Sequence, residues 1–120
     1  KAILVIFICM SSIAYPQSEG IKFDGKIGDY GTLKYGEPAV VEFSFVNQSS
    51  EDITIRKVKS NSRSITFKIK DSVVRPGQRS WIKVFYNTEE EGLIRRKVTV
   101  FTTGKTPIHT LSLRGRVSKD

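Results

Sequence analysis

The clearest strand in the sequence is Ala39-Val40-Val41-Glu42-Phe43-Ser44-Phe45-Val46-Asn47. Every second side chain from Val41 to Phe45 is apolar, and the two between them are polar. This period of two is typical of a β-strand with one buried and one exposed face. Pro38 precedes the stretch and lacks an amide proton, which suits the start of a strand. The segment therefore predicts a half-buried β-strand.

Shorter runs of the same kind lie on both sides of this strand, and turn signals such as Pro76-Gly77 separate them. Further strands are predicted at Ile21–Asp24, Tyr30–Lys34, Ile53–Val58, Ile65–Ile69, Ser80–Asn87, Leu93–Thr103 and Ile108–Ser118. No helical period is found beyond the N-terminus. The pattern predicts an all-β domain, an immunoglobulin-like antiparallel β-sandwich of about seven strands.

The predicted core consists of the inward-facing apolar side chains of the longer strands. These are Val41, Phe43, Phe45, Ile53, Ile55, Ile82, Val84, Tyr86, Val98, Val100, Leu111 and Leu113. Burial of one such side chain contributes on the order of 1.5–3 kcal/mol. A dozen of them suffice for a domain of this size without disulfides.

The N-terminus predicts targeting rather than fold. Lys1 is followed by the apolar run 2–10 and by small residues up to Ala14, the order found in a secretory signal peptide. The run is shorter than the roughly 20 residues of a membrane-spanning helix, which favours a cleaved signal over a signal anchor. We expect a signal peptide at 1–14, a linker at 15–20 and the domain at 21–120. The expected location is the periplasm or the extracellular face of an outer membrane.

Positive charge is concentrated in one half of the chain. Residues 1–53 carry a net charge of −3 and residues 54–120 a net charge of +11, within a total of +8. An exported protein meets little nucleic acid, so the basic half indicates an acidic protein face, anionic lipid head groups or an acidic glycan as partner. A solvated basic surface without a partner is the alternative.

The residue inventory gives little support to catalysis. His109 is the single histidine and Cys9 the single cysteine, so a metal cluster or an internal disulfide has no material. Ser62 and Ser64 have no base nearby in sequence to activate them. The acidic run Glu89–Glu91 lacks the spacing of a calcium loop. We therefore expect no enzyme activity, no cofactor and no metal.

A binding surface is suggested by the outward side of Ser80–Asn87. If Ile82, Val84 and Tyr86 face the core, the residues between them face solvent. We expect this strand to pair with Leu93–Thr103 as a hairpin because the two are neighbours in sequence. The resulting face would carry aromatic and basic residues, a composition enriched in binding hot spots. With the loop residue Arg63, the candidate partner-binding residues are Trp81, Lys83, Phe85, Arg95, Lys97, Phe101 and Arg63.

Five motifs in order resemble the DUF1573 family. They cover about residues 21–118: Gly28-Asp29-Tyr30-Gly31-Thr32-Leu33-Lys34-Tyr35-Gly36-Glu37, Phe43-Ser44-Phe45-Val46-Asn47, Val74-Arg75-Pro76-Gly77-Gln78 with the following strand Ile82–Tyr86, Lys97-Val98-Thr99-Val100, and Leu113-Arg114-Gly115-Arg116-Val117. Where the family usually has Cys-Gly-Cys, this chain has Ser62-Arg63-Ser64. The chain thus lacks the family's obvious redox or metal-binding residues.

The resemblance implies an exported immunoglobulin-like sandwich of the kind common in Bacteroidetes-type bacteria, with no assigned activity. Together with the basic half and the aromatic strand, it favours a non-enzymatic protein-binding module, an accessory subunit of a secretion or surface-organelle complex. Binding would use the aromatic and basic face or an added edge strand. The alternative is a periplasmic or surface module that binds a glycan or another polymer.

Overall fold

The computed structural model describes residues 20–120, which form nine β-strands. They are β1 (Ile21–Phe23), β2 (Ile27–Lys34), β3 (Val40–Asn47), β4 (Ile53–Ser60), β5 (Ile65–Ile69), β6 (Val73–Val74), β7 (Arg79–Tyr86), β8 (Gly92–Thr102) and β9 (Ile108–Ser118). In this part of the chain no helix is long and apolar enough to cross a bilayer. The predicted signal peptide (1–14) and nearly all of the linker (15–20) lie outside the described residues.

The strands form two sheets that pack face to face, as predicted for a β-sandwich. One sheet has four strands in the order β1-β3-β7-β5, and the other has five in the order β2-β9-β8-β4-β6. One pair departs from the antiparallel arrangement of the others, because β2 runs parallel to β9. A parallel pair needs a long crossover connection. Here the whole of β3 to β8 lies between the two strands in sequence.

The core between the sheets contains the predicted side chains, all of them buried except Val41, which is partly buried and packs against the rest. The structure adds apolar residues that the pattern did not single out. They are Ile21, Phe23, Leu33, Ala39, Ile65, Val74, Ile94 and Val117. These residues lie in short strands or near strand ends, where too few residues alternate to reveal a period.

Several strand bounds differ from those predicted. β2 begins at Ile27 rather than Tyr30, and its register shifts between Asp29 and Thr32, which breaks the alternation that would have revealed it. β4 continues to Ser60 because its end pairs with β8, so only the residues after it form the polar loop. The two-residue β6 was not predicted, because it directly precedes the Pro-Gly turn.

Asn47 ties the two sheets together at the end of β3. Its side chain is fully buried, and its Nδ2 donates to the carbonyl oxygens of Val74 and Glu51, both at 2.8 Å. Its Oδ1 accepts from the amide and the hydroxyl of Ser49. Its carbonyl oxygen accepts from the amide of Gly77 at 2.8 Å. Gly77 has a φ of 80°, a conformation that favours glycine. One asparagine thus joins β3, β6 and the Pro-Gly turn.

A second tie lies at β2. The hydroxyl of Tyr30 donates to the carbonyl oxygen of Val84 in the opposite sheet at 2.9 Å, and burial raises the pKa of Tyr30. Gly28 lies so close to the four-stranded sheet that an added Cβ would be 2.6 Å from a methyl carbon of Val41 and 2.8 Å from the ring of Phe43. These contacts hold β2 against the sandwich and fix the two outer faces relative to each other.

Candidate functional site

The predicted hairpin between β7 and β8 does not form. β7 is a central strand of the four-stranded sheet, with β3 on one side and β5 on the other, so both of its edges are taken. β8 pairs with β4 and β9 in the other sheet. The connection crosses between the sheets through Thr88, a buried residue whose hydroxyl donates to the carbonyl oxygen of Glu37 at 2.6 Å. The candidate binding residues on β7 and β8 are therefore divided between two opposite faces.

The predicted facing of β7 is confirmed. Ile82 and Val84 are completely buried and Tyr86 nearly so, whereas Trp81 and Lys83 are half-buried and Phe85 is 37% exposed. The outer surface of the four-stranded sheet thus presents Trp81, Lys83 and Phe85 in one row along its centre. We call this surface, with its neighbours on β3 and β5, the aromatic face.

Direct cross-strand neighbours complete the aromatic face. Phe85 pairs with Val40, which is 51% exposed, so two apolar side chains lie together on the surface. Lys83 lies between Glu42 of β3 and Lys68 of β5. The Lys83 Nζ is 4.5 Å from the centre of the Trp81 ring, a cation–π contact. The cation therefore covers part of the indole while Phe85 and Val40 stay accessible.

The β8 candidates lie on the outer surface of the five-stranded sheet. Arg95 and Lys97 are exposed, and Phe101 is half-buried with the Lys57 Nζ 5.5 Å from its ring centre. Arg95 lies directly opposite Arg114 of β9. We call this surface the cationic face; its basic residues are Lys57, Lys59, Arg95, Lys97, Arg114 and Arg116.

One carboxylate lies among these cations. The Oδ2 of Asp29 on β2 accepts from the Nε of Arg114 at 3.1 Å, and its Oδ1 accepts from the amide of Gly31 at 2.8 Å. The Gly31 hydrogen bond first, and the Arg114 guanidinium second, lower the pKa of the Asp29 carboxyl. Both partners of the ion pair are more than half exposed, so the pair contributes little to stability but fixes the direction of Arg114.

Arg63 lies on neither face. It is exposed in the turn between β4 and β5, where the chain passes from one sheet to the other. The serines on either side make local contacts: the Ser62 Oγ accepts from the amide of Ser64, and the Ser64 Oγ donates to Glu90 at 3.3 Å. The three residues that replace the Cys-Gly-Cys therefore form an ordinary polar turn.

His109 points into the core from β9. The ring is buried and packs at 5.6 Å, edge to face, against Phe23 of the other sheet. Its Nε2 has no hydrogen-bond partner among the described residues. Burial, followed by the charge of Lys26, lowers the pKa of His109, which favours the neutral ring. A depression of about 360 Å³ opens beside it, lined by β1, Lys26 and Thr106.

Across residues 20–120, no three His, Cys, Asp or Glu side chains come together as a metal site would require. The distinctive features of the described domain are thus its two outer faces. Sequence reasoning found Trp81, Lys83 and Phe85 but missed the cationic face as a unit. The basic residues of β4 and β9 come onto the same face as Arg95 only through the order of strands in the sheet, which no local sequence pattern reveals.

Solved structures similar to this chain share its fold at low sequence identity. A protein of unknown function from Porphyromonas gingivalis W83 has a TM-score of 0.72 at 12% identity, over 95% of this chain and 52% of that one. This chain therefore spans about half the length of that relative. The ASH/PapD-like domain 7 of human CEP192 has a TM-score of 0.71 at 10% identity, over 98% of both chains.

A third structure, the MSP family member WR4 of C. elegans, has a TM-score of 0.57 at 10% identity, over 84% of this chain and all of that one. No curated protein sequence matches this chain. A family model described as a protein of unknown function, DUF1573, matches residues 21–117. That match includes both outer faces and every motif on which the resemblance rested, and on it the chain belongs to the DUF1573 family.

Proposed function

We propose that this domain is a non-enzymatic protein-binding module, an accessory subunit of a larger assembly in the cell envelope. One observation carries the proposal: the accessible row of Trp81, Lys83 and Phe85 on a central strand. Aromatic side chains in the middle of a rigid sheet are enriched in binding hot spots, because they bury a large area at little cost in entropy. The adjacent Val40 extends the apolar area.

The composition of this face favours a protein partner over a glycan. Stacking of a sugar requires an open aromatic ring, whereas the Lys83 ammonium lies 4.5 Å from the centre of the Trp81 ring. Apolar contacts at the centre with charges around them are typical of protein interfaces. Phe85 and Val40 would form such a centre, with Glu42 and Lys68 near its rim. Export and envelope location are part of the proposal and rest on the sequence of residues 1–14.

The test replaces Trp81 and Phe85 with Ser in one variant and compares it with a matched control, Tyr35→Ser together with Val73→Ser, at two exposed positions outside the aromatic face. Each variant is tagged, purified from native membranes and analysed by quantitative mass spectrometry. We expect a partner at fixed stoichiometry with the wild type and the control, and a loss of at least about tenfold with the Trp81 and Phe85 variant. Circular dichroism verifies that each variant is folded.

Lys83→Glu serves as a second variant if the double substitution unfolds the domain, because Lys83 is half-buried and outward-facing. Reversal of one charge at the interface is expected to slow association and reduce recovery of the partner. Equal recovery of the partner with all variants would refute the proposal. A monomeric protein that binds acidic polysaccharide through Trp81 would instead support the glycan-binding alternative.

A further inference from the structure

We propose that the cationic face is a docking surface for an anionic lipid bilayer. It lies on the opposite side of the sandwich from the aromatic face, and this inference does not depend on the proposed protein-binding role. Two properties of the face support the proposal: the arrangement of its charges and the position of its exposed aliphatic side chains.

The charges are arranged in two dimensions rather than along a line. Arg95 and Lys97 follow each other at about 7 Å along β8, and on β9 Arg114 lies opposite Arg95 and Arg116 opposite Leu93. Lys57 and Lys59 lie on the other side of β8, on β4. Among the described residues, Arg114 is the only one of these six cations with a carboxylate within 4 Å. The remaining charge is directed at solvent.

This arrangement is unfavourable for the isolated domain. Arg95 and Arg114 lie directly opposite each other on neighbouring strands, and like charges in that position destabilise a sheet. An anionic surface relieves the repulsion, since Asp29 is the single carboxylate that the described strands of this sheet place beside these arginines. The bilayer surface attracts clusters of basic side chains through the charge of its acidic lipids.

The aliphatic side chains distinguish a bilayer from an acidic protein. The three most exposed large hydrophobic side chains among residues 20–120 are Ile27 (60%), Leu93 (56%) and Ile108 (56%). All three lie on this face: Leu93 and Ile108 at its opposite ends and Ile27 on the edge strand β2. Arg116 is the direct cross-strand neighbour of Leu93, and Lys57 lies in the same row as Ile108, so cations and aliphatic groups are neighbours on one surface.

The core of a protein interface is depleted in charged residues, whereas here cations are spread along β4, β8 and β9 among the aliphatic side chains. Interfacial binding to a bilayer combines attraction of cations to acidic head groups with burial of aliphatic side chains at the boundary with the acyl chains. From Leu93 to Phe101 the face is about 27 Å long, and its cations and aliphatic side chains project from the same side of one sheet. The observations therefore favour a lipid surface.

The test measures co-sedimentation of the full chain with vesicles of phosphatidylcholine alone and of phosphatidylcholine with roughly 30 mol% phosphatidylglycerol. Two variants with the same net charge are compared. Arg95→Gln with Lys97→Gln alters the cationic face, and Lys22→Gln with Lys68→Gln alters exposed positions of the other sheet. Because all chains share residues 1–19, any contribution of that segment is common to them.

We expect wild-type protein to bind the acidic vesicles more tightly than the neutral ones, and the difference to vanish in about 0.5 M NaCl. The Arg95 and Lys97 variant should lose about 30-fold in affinity for acidic vesicles, and the Lys22 and Lys68 variant less than about threefold. Leu93→Ser with Ile108→Ser should also weaken binding, although it leaves the net charge unchanged.

Equal losses with the two charge variants would mean that net charge alone attracts the protein, which would overturn the docking surface. Absence of binding to acidic vesicles would overturn it as well. Binding to a soluble acidic polysaccharide or an acidic protein through Arg95 and Lys97, without binding to vesicles, would leave the cations functional but refute the bilayer as their partner.

Discussion

On the aromatic face, Lys83 lies beside Glu42 and against the ring of Trp81, whereas on the cationic face Arg95 lies opposite Arg114. Both rows belong to strands whose opposite side packs in the core, through Ile82 and Val84 on β7 and through Val98 and Val100 on β8. The difference lies in what surrounds each cation. Lys83 has the carboxylate of Glu42 and the ring of Trp81 as neighbours, whereas Arg95 lies opposite another arginine and has no carboxylate within 4 Å among the described residues.

The uneven charge along the sequence is redistributed by the order of strands in the two sheets. The net charge of +11 in residues 54–120 includes strands of both sheets, so it describes neither face. On the four-stranded sheet, Arg79 forms an ion pair with Asp24 of the preceding half of the chain. On the five-stranded sheet, one acidic residue, Asp29, accompanies the six cations of the face. Sheet order, and not position along the chain, determines where the charge is concentrated.

Removal of the Asn47 side chain is expected to have the largest effect, because both faces depend on the hydrogen bonds by which it joins the two sheets. We expect Asn47→Ala to lower the free energy of unfolding by about 1–3 kcal/mol, since it leaves the carbonyl oxygen of Val74 without its buried donor and Glu51 with the Ser49 hydroxyl alone. Urea denaturation measures the loss. Gln48→Ala, at the exposed neighbouring position, is the control and should change stability by less than about 0.5 kcal/mol. A comparable loss in both variants would contradict the role of the side chain.

Acidification is expected to weaken the sandwich where β1 packs against β9. The pKa of His109 is lowered in the folded state, so the unfolded chain takes up the proton first. The contribution of the neutral ring is complete above about pH 6.5 and is lost as pH falls towards the lowered value. The loss cannot exceed about 1.4 kcal/mol per pH unit, because one proton is taken up.

Thermal denaturation of the wild type and of His109→Phe between about pH 7 and 5 measures this effect. Phe keeps an aromatic ring against Phe23 but cannot be protonated. We expect the wild type to lose stability more steeply than the variant over this range. Parallel curves for the two proteins would show that His109 is not the group responsible.

The alternating pattern of the sequence was sufficient to predict the buried side chains of the longer strands. Residues such as Phe43, Phe45, Ile82 and Val84 alternate over enough positions to reveal both the strand and its buried face. Ile21 and Val74 were not predicted as core residues, because their strands have only three and two residues. The prediction for strand β2 was too short, because its bulge interrupts the alternation of apolar and polar residues.

The outer side was less predictable, because its composition depends on which strands are neighbours. Proximity in sequence suggested that β7 and β8 pair, but both edges of β7 are filled by β3 and β5. Trp81 and Phe101 consequently lie on opposite faces of the domain. No local pattern of residues encodes that choice, since it is made by the packing of the complete set of strands.

The smallest expected effect comes from replacing one cation on each face. Arg95→Thr removes the repulsion from Arg114 and should raise the free energy of unfolding by about 0.2–1 kcal/mol. Lys83→Thr should not raise it: the attraction to Glu42 and the repulsion from Lys68 largely offset, and the contact with Trp81 is lost, at about 0.5 kcal/mol. Urea denaturation at low ionic strength measures both values.

Threonine is used at both sites so that strand propensity changes equally and the surroundings of each cation account for the difference. The gain for Arg95→Thr should shrink in about 0.5 M NaCl, because salt screens exposed charges. The loss for Lys83→Thr should be less sensitive to salt, since the ammonium lies against the indole ring. A destabilised Arg95→Thr would mean that the arginines are accommodated by the fold itself. A stabilised one would mean that the domain keeps, at a cost to its own stability, a charge that only a partner outside it can balance.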